Sequence, residues 1–116
     1  MSGLPTDEVL AIVRLRQWSA DRALLRAGRV VHHRHAGYRE RRQRDADARN
    51  VRVADFELAF ARLSQDEQTM LAALYRDRLD YSTAASLLQL STRTLAYKLP
   101  AARQHLAQIL DRLDLL

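Results

Sequence analysis

The chain is predicted to be all-α: a helix-turn-helix domain with an N-terminal helical arm before it and a long C-terminal helix after it. Three observations carry this. The stretch YSTAASLLQLSTRTLAYKL, residues 81–99, reads as two short helices around a tight turn. Elsewhere, apolar residues recur at alternating spacings of three and four, the period of one helix face. With only 3 Gly and 2 Pro, few breaks are marked, so long helices are favoured.

The first helix is expected to start at Thr6, a good cap, with Asp7 and Glu8 suiting the positive end of the helix dipole. Ala11, Leu15, Trp18 and Leu25 form its apolar stripe, interrupted by Arg22, and Gly28 marks a stop. Residues 29–50 are strongly polar, without a sustained apolar period. They fit either an exposed helix with a weak point at Gly37 or a flexible linker. The local cluster His32, His33 and His35 belongs to this basic surface, because no helix puts three such close histidines on one face. The pattern returns at Val53, Phe56, Phe60 and Leu63. Ser64 and Glu67 then form a capping box ahead of Met70, Leu71, Leu74 and Tyr75. The domains expected are thus an Arg-rich helical arm over 1–50 and the helix-turn-helix domain over 51–116.

Within the motif, Asp80 or Ser82 opens the first helix, whose apolar side is Ala84, Ala85, Leu87 and Leu88. Leu90 sits in the turn. Ser91 caps the second helix by accepting a hydrogen bond from an otherwise unpaired backbone N–H. Leu95 and Leu99, four apart, turn inward. The expected core is Leu71, Leu74, Ala85, Leu88, Leu95 and Leu99. Pro100 removes one helix hydrogen bond and clashes with the carbonyl of Ala96, so a kink, or a stop and restart, is expected there. Beyond it, Leu99, Ala102, Leu106, Ile109, Leu113 and Leu116 form a last seam. That seam and the one in the first helix are expected to pack together or to mediate a dimer, since both exposed would leave a large apolar patch.

Composition bounds the function. Hydrophobic residues make up 47% of the chain, enough for one small core. Cysteine is absent, which excludes disulfides and thiolate zinc sites. No apolar run approaches the roughly 20 residues that span a bilayer. The acidic start at Asp7 and Glu8 does not resemble a secretory signal, so a cytoplasmic protein without membrane association is the expectation. The net charge of +5 is uneven: residues 1–56 hold 12 Arg against 7 acids, while 57–116 hold 7 Lys and Arg against 7 acids. The basic excess lies outside the helix-turn-helix, where Arg34, Arg39, Arg41, Arg42 and Arg44 form a basic arm. Such a stripe attracts a polyanion without reading sequence; the plain alternative is a solvated Arg-rich helix. No nucleophile–base pair, metal spacing or Gly-rich phosphate loop is visible, so neither an enzyme nor a cofactor site is expected.

Residues from about Phe56 to Leu106 resemble region 4 of the sigma-70 family, especially its short extracytoplasmic-function type. The likeness rests on Leu63-Ser64-Gln65-Asp66-Glu67, the helix with Met70, Leu71 and Leu74, then Tyr81, Ser82, Ala84 and Ala85. Ser91, Leu99, Ala102 and Arg103 follow in order. Residues 84–99 also resemble the Fis-type helix-turn-helix, through Ala84, Ala85, Leu87, Leu88, Ser91, Arg93, Thr94, Leu95, Lys98 and Leu99. Both families usually have Gly where this chain has Gln89, a residue that takes positive φ only at a cost. No counterpart of sigma region 2 is seen.

The resemblance implies a DNA-binding transcription regulator. Ser82 and Thr83 would touch phosphate, and Thr92, Arg93, Tyr97 and Lys98 would meet the duplex from the second helix, with Arg103 further along. Ala96 stands where sigma region 4 often has a basic residue. The second reading is therefore an interaction module that uses the same fold to bind RNA polymerase or another transcription factor.

Overall fold

The computed structural model describes residues 6–28 and 36–116, and every regular element among them is helical. α1 spans Thr6–Gly28, α2 Ala36–Phe60, α3 Gln65–Leu71, α4 Tyr81–Leu87 and α5 Thr92–Arg112. None of these helices is long and apolar enough to cross a membrane.

α1 begins and ends at the residues the sequence marks. Its stripe of Ala11, Leu15 and Trp18 is buried, and Leu25 is half-buried. The stripe faces α5, whose Leu106, Ile109 and Leu110 are equally buried, and α2. The two terminal seams therefore pack against each other within one chain. Trp18 stacks on Phe56 at a centroid distance of 5.0 Å and lies 4.9 Å from Phe60. Arg22, the interruption in the stripe, bonds Glu57 at 2.9 Å while its guanidinium lies 5.9 Å from the Trp18 ring. Arg52 makes a two-pronged bond to the buried Asp21, both contacts 3.0 Å. α1 is thus part of the core, not an appended arm.

The stretch 36–50 is helical and continues unbroken into 51–60, so the expected domain division at residue 50 falls inside α2. The histidine cluster at 32, 33 and 35 lies outside the described residues, which hold no metal-binding cluster of their own.

The capping box at α3 forms as the sequence indicates. The Ser64 hydroxyl accepts from the Glu67 N–H at 3.2 Å, and the Glu67 carboxylate accepts from the Ser64 N–H at 2.9 Å. The same carboxylate meets His105 Nδ1 on α5, at 2.9 and 3.0 Å. After Leu71 the helix widens into a π turn over Ala72–Arg76, closed by the Asp77 N–H to the Ala72 carbonyl. The extra residue alters the register expected for one regular helix: Met70 and Leu71 are buried, but Leu74 and Tyr75 only half-buried. Of the expected core, Leu71, Ala85, Leu95 and Leu99 are buried, whereas Leu74 and Leu88 pack against its edge.

Pro100 does not stop α5, which runs through it as one helix. The carbonyl it deprives of a partner belongs to Ala96, an exposed residue.

Candidate nucleic-acid interface

α4 and the first half of α5 form the outer face on which the sequence places its candidate contacts. Asp80 caps α4, accepting from the Thr83 N–H at 2.7 Å, and that bond holds the Asp80 carboxyl below its ordinary pKa. Ala84 and Ala85 are buried, and their small side chains let α4 lie close on its neighbours. The helix ends in a Schellman arrangement: Leu90 N–H bonds the Ala85 carbonyl at 2.8 Å, and Gln89 N–H the Ser86 carbonyl at 3.1 Å. Gln89 itself takes φ of 56°, the left-handed geometry that the expected Gly would adopt freely. Gln89 holds this geometry at a cost in strain.

Ser91 then caps α5. Its Oγ accepts from the Thr94 N–H at 3.1 Å and donates to Thr94 Oγ1 at 2.9 Å. Below this cap, Leu95, Leu99 and Ala102 are buried; above it, Thr92, Arg93, Ala96, Tyr97 and Lys98 are all exposed. Tyr97 is 84% exposed, the highest value among the described large hydrophobic residues. Ser82 and Thr83 are exposed at the start of α4. The Asp80 carboxylate takes the Thr83 N–H and also draws on the Thr83 side chain, so this amide is not available to an outside partner.

Arg103 is placed differently from the other candidates. Its side chain is 14% exposed and turns inward, with Nη1 2.7 Å from Glu8 Oε1 and Nε 3.1 Å from the Tyr75 hydroxyl. Glu8 is 1% exposed. The guanidinium thus ties the middle of α5 to the start of α1, which explains why it does not join the outer face. Nothing in the local sequence signals a pair whose members stand 95 positions apart. Leu87 is corrected in the opposite direction: expected on the apolar side of α4, it is 63% exposed, because Ala84, Ala85 and Leu88 take the inward positions.

In the basic arm, Arg34 lies outside the described residues. Arg39, Arg41, Arg42 and Arg44 fall on α2, where Arg41 and Arg44 are exposed; the side chains of Arg39 and Arg42 lie outside the description. Among the described acids nearby, Glu40 and Asp45 stand one helical turn from Arg44 and Arg41, so the local charge is partly balanced.

Comparison with known proteins finds no matching family model, curated protein or solved structure.

Proposed function

We propose that this chain is a DNA-binding transcription regulator that lays the first two turns of α5 in the major groove. The observation that carries the reading is the division of α5 into a buried side, Leu95 and Leu99, and a polar side with Arg93, Tyr97 and Lys98. A helix held from beneath by a capped, short-turned neighbour leaves its outer face free to meet base edges. In this reading Arg93 meets guanine or phosphate, Thr92 and Tyr97 donate to phosphate oxygens, and Lys98 meets the backbone. Ser82 and Thr83 add hydroxyl contacts from α4, while Arg41 and Arg44 add a sequence-independent attraction. The likeness to sigma region 4 and to the Fis-type motif supports the same docking.

A second reading has its own observation. Arg93 and Lys98 are the two exposed cations within the α4–α5 face, and Ala96 is exposed on the same helix between them. A face so lightly charged also suits a protein surface, and the interaction module binding RNA polymerase or another transcription factor uses it that way.

The test is a titration of the intact protein on random duplex DNA at two salt concentrations, with Arg93→Ala and with Arg41→Ala/Arg44→Ala in parallel. Binding that weakens with salt, and weakens further in both variants, supports the DNA reading. Absent binding at low salt, with retained capture of RNA polymerase that Arg93→Ala abolishes, supports the second. The whole chain is required, because truncation at Val51 would remove Leu15 and Trp18 from the core.

A further inference from the structure

α2 has a second face. Glu40, Arg44, Asp47, Val51, Ala54, Leu58 and Ala61 recur at alternating spacings of four and three, and all of them are exposed. This is the spacing of a seam that packs against another helix. Val51 is 59% exposed and Leu58 61%. The opposite face of the same helix buries Phe56, Ala59 and Phe60, so the outer seam is not needed for the core.

We infer that this seam is a self-association surface, on which α2 of a second copy lies antiparallel. The argument is the symmetry of its chemistry. A two-fold interface must be self-complementary, with every contact made twice about one point. When Val51 lies opposite the partner's Leu58, the point of symmetry falls between Ala54 and Asp55. The same register brings Asp47 level with the partner's Arg62. Both are exposed, Arg62 in the turn that follows α2, and their charges are opposite. Ala54, beside the axis, is small enough for the two backbones to approach closely. Asp55 turns aside, into the cleft lined by Arg14 and Arg52. A parallel copy would instead stack Glu40 on Glu40, Arg44 on Arg44 and Asp47 on Asp47, each a like-charge pair.

α1 carries another exposed strip, with Val9, Val13 and Leu24. Arg16 stands within it, and no antiparallel register there gives the cation a carboxylate on the same side. The α2 seam is therefore the better match to a second copy. The inference does not depend on DNA binding and holds if the function proposed above fails.

The experiment is sedimentation equilibrium of the full chain across a concentration series, with five variants. The wild type is expected to dimerise. Leu58→Arg removes an apolar contact twice per dimer and should weaken association by about a hundredfold, while far-UV circular dichroism stays unchanged. Asp47→Arg should weaken it by several-fold, as should Arg62→Asp, and the double variant should restore it. A wild type that stays monomeric to millimolar concentration overturns the inference. So does a dimer indifferent to Leu58→Arg, or a double variant no better than the singles. A dimer lost instead in Val13→Arg would place the interface on α1 and equally overturn it.

Discussion

Arg103 separates a structural from a nucleic-acid role for the same residue, and the difference is measurable. Arg103→Met keeps the length of the stem and its helix propensity but removes the guanidinium. The Glu8 carboxylate then stays buried, having lost its 2.7 Å partner, and the Tyr75 hydroxyl loses a donor at 3.1 Å. Breaking a buried ion pair from one side costs about 3–5 kcal/mol, because a charge is left without water or counter-ion. Arg103 retains some exposure, so the lower part of that range, about 3 kcal/mol, is expected. Converting both partners, Glu8→Gln with Arg103→Met, removes the stranded charge and should recover about 2 kcal/mol of the loss. The assay is urea unfolding of the four proteins at neutral pH, followed by circular dichroism. A parallel DNA titration, under conditions where every variant is folded, should show equal affinities. A destabilisation below about 1 kcal/mol with no coupling to Glu8, together with a clear loss of DNA affinity, would refute the internal role and return Arg103 to the outer face.

Gln89→Gly should raise stability by about 0.5–1 kcal/mol, read as a higher thermal midpoint, since it relieves a side chain held at positive φ; an unchanged or lower midpoint would show that the Gln89 side chain repays its strain. At Glu67, burial alone would raise the carboxyl, but the Ser64 N–H, His105 and the Ser64 hydroxyl together hold it below its ordinary 4.5. A depressed carboxylate contributes stability that is complete above its unfolded value and lost as pH falls through its folded one. The stability difference between wild type and Glu67→Gln should therefore shrink on acidification below 4.5, and a difference independent of pH would contradict the assigned bonds. Tyr97→Ala should change unfolding free energy by less than about 0.5 kcal/mol, as befits an exposed site, while weakening DNA binding; a large loss of stability would mean that Tyr97 packs against something.

The parts of this fold that were legible in the sequence are those set by near neighbours. Ser64 with Glu67, and Ser91 with Thr94, need only three residues to make a cap, and both caps form. Leu95 and Leu99 need only the helical period to share an inward face. Periodicity alone does not say which of two adjacent leucines turns in; both Leu87 and Leu88 were expected inward, and only Leu88 packs against the core while Leu87 is exposed. It also does not name the partner of a seam. The stripe on α1 was visible, but its burial against α5 depends on how the whole chain closes. The π turn at Ala72–Arg76 had no signature, since one added residue per turn leaves the local composition unchanged.

For the candidate site the division is sharper. Arg93, Tyr97 and Lys98 were readable as outward residues because the inward ones around them are apolar. Arg103 shares the helix and the charge, yet its direction is decided by an acid on α1 that no window along the chain contains. This has a consequence for how the face is held. α5 receives Leu95 and Leu99 support from below near its start, and an ion pair to α1 near its middle. α1 is fixed in turn by Trp18 against Phe56 and Phe60, and by Asp21 against Arg52. The outer face of α5 can stay polar and lightly packed because Leu95, Leu99 and Arg103 hold the helix from its inner side. A substitution in α1 that leaves the protein folded, such as Glu8→Gln, should accordingly leave binding unchanged, whereas one at Arg93 should weaken binding with the fold intact.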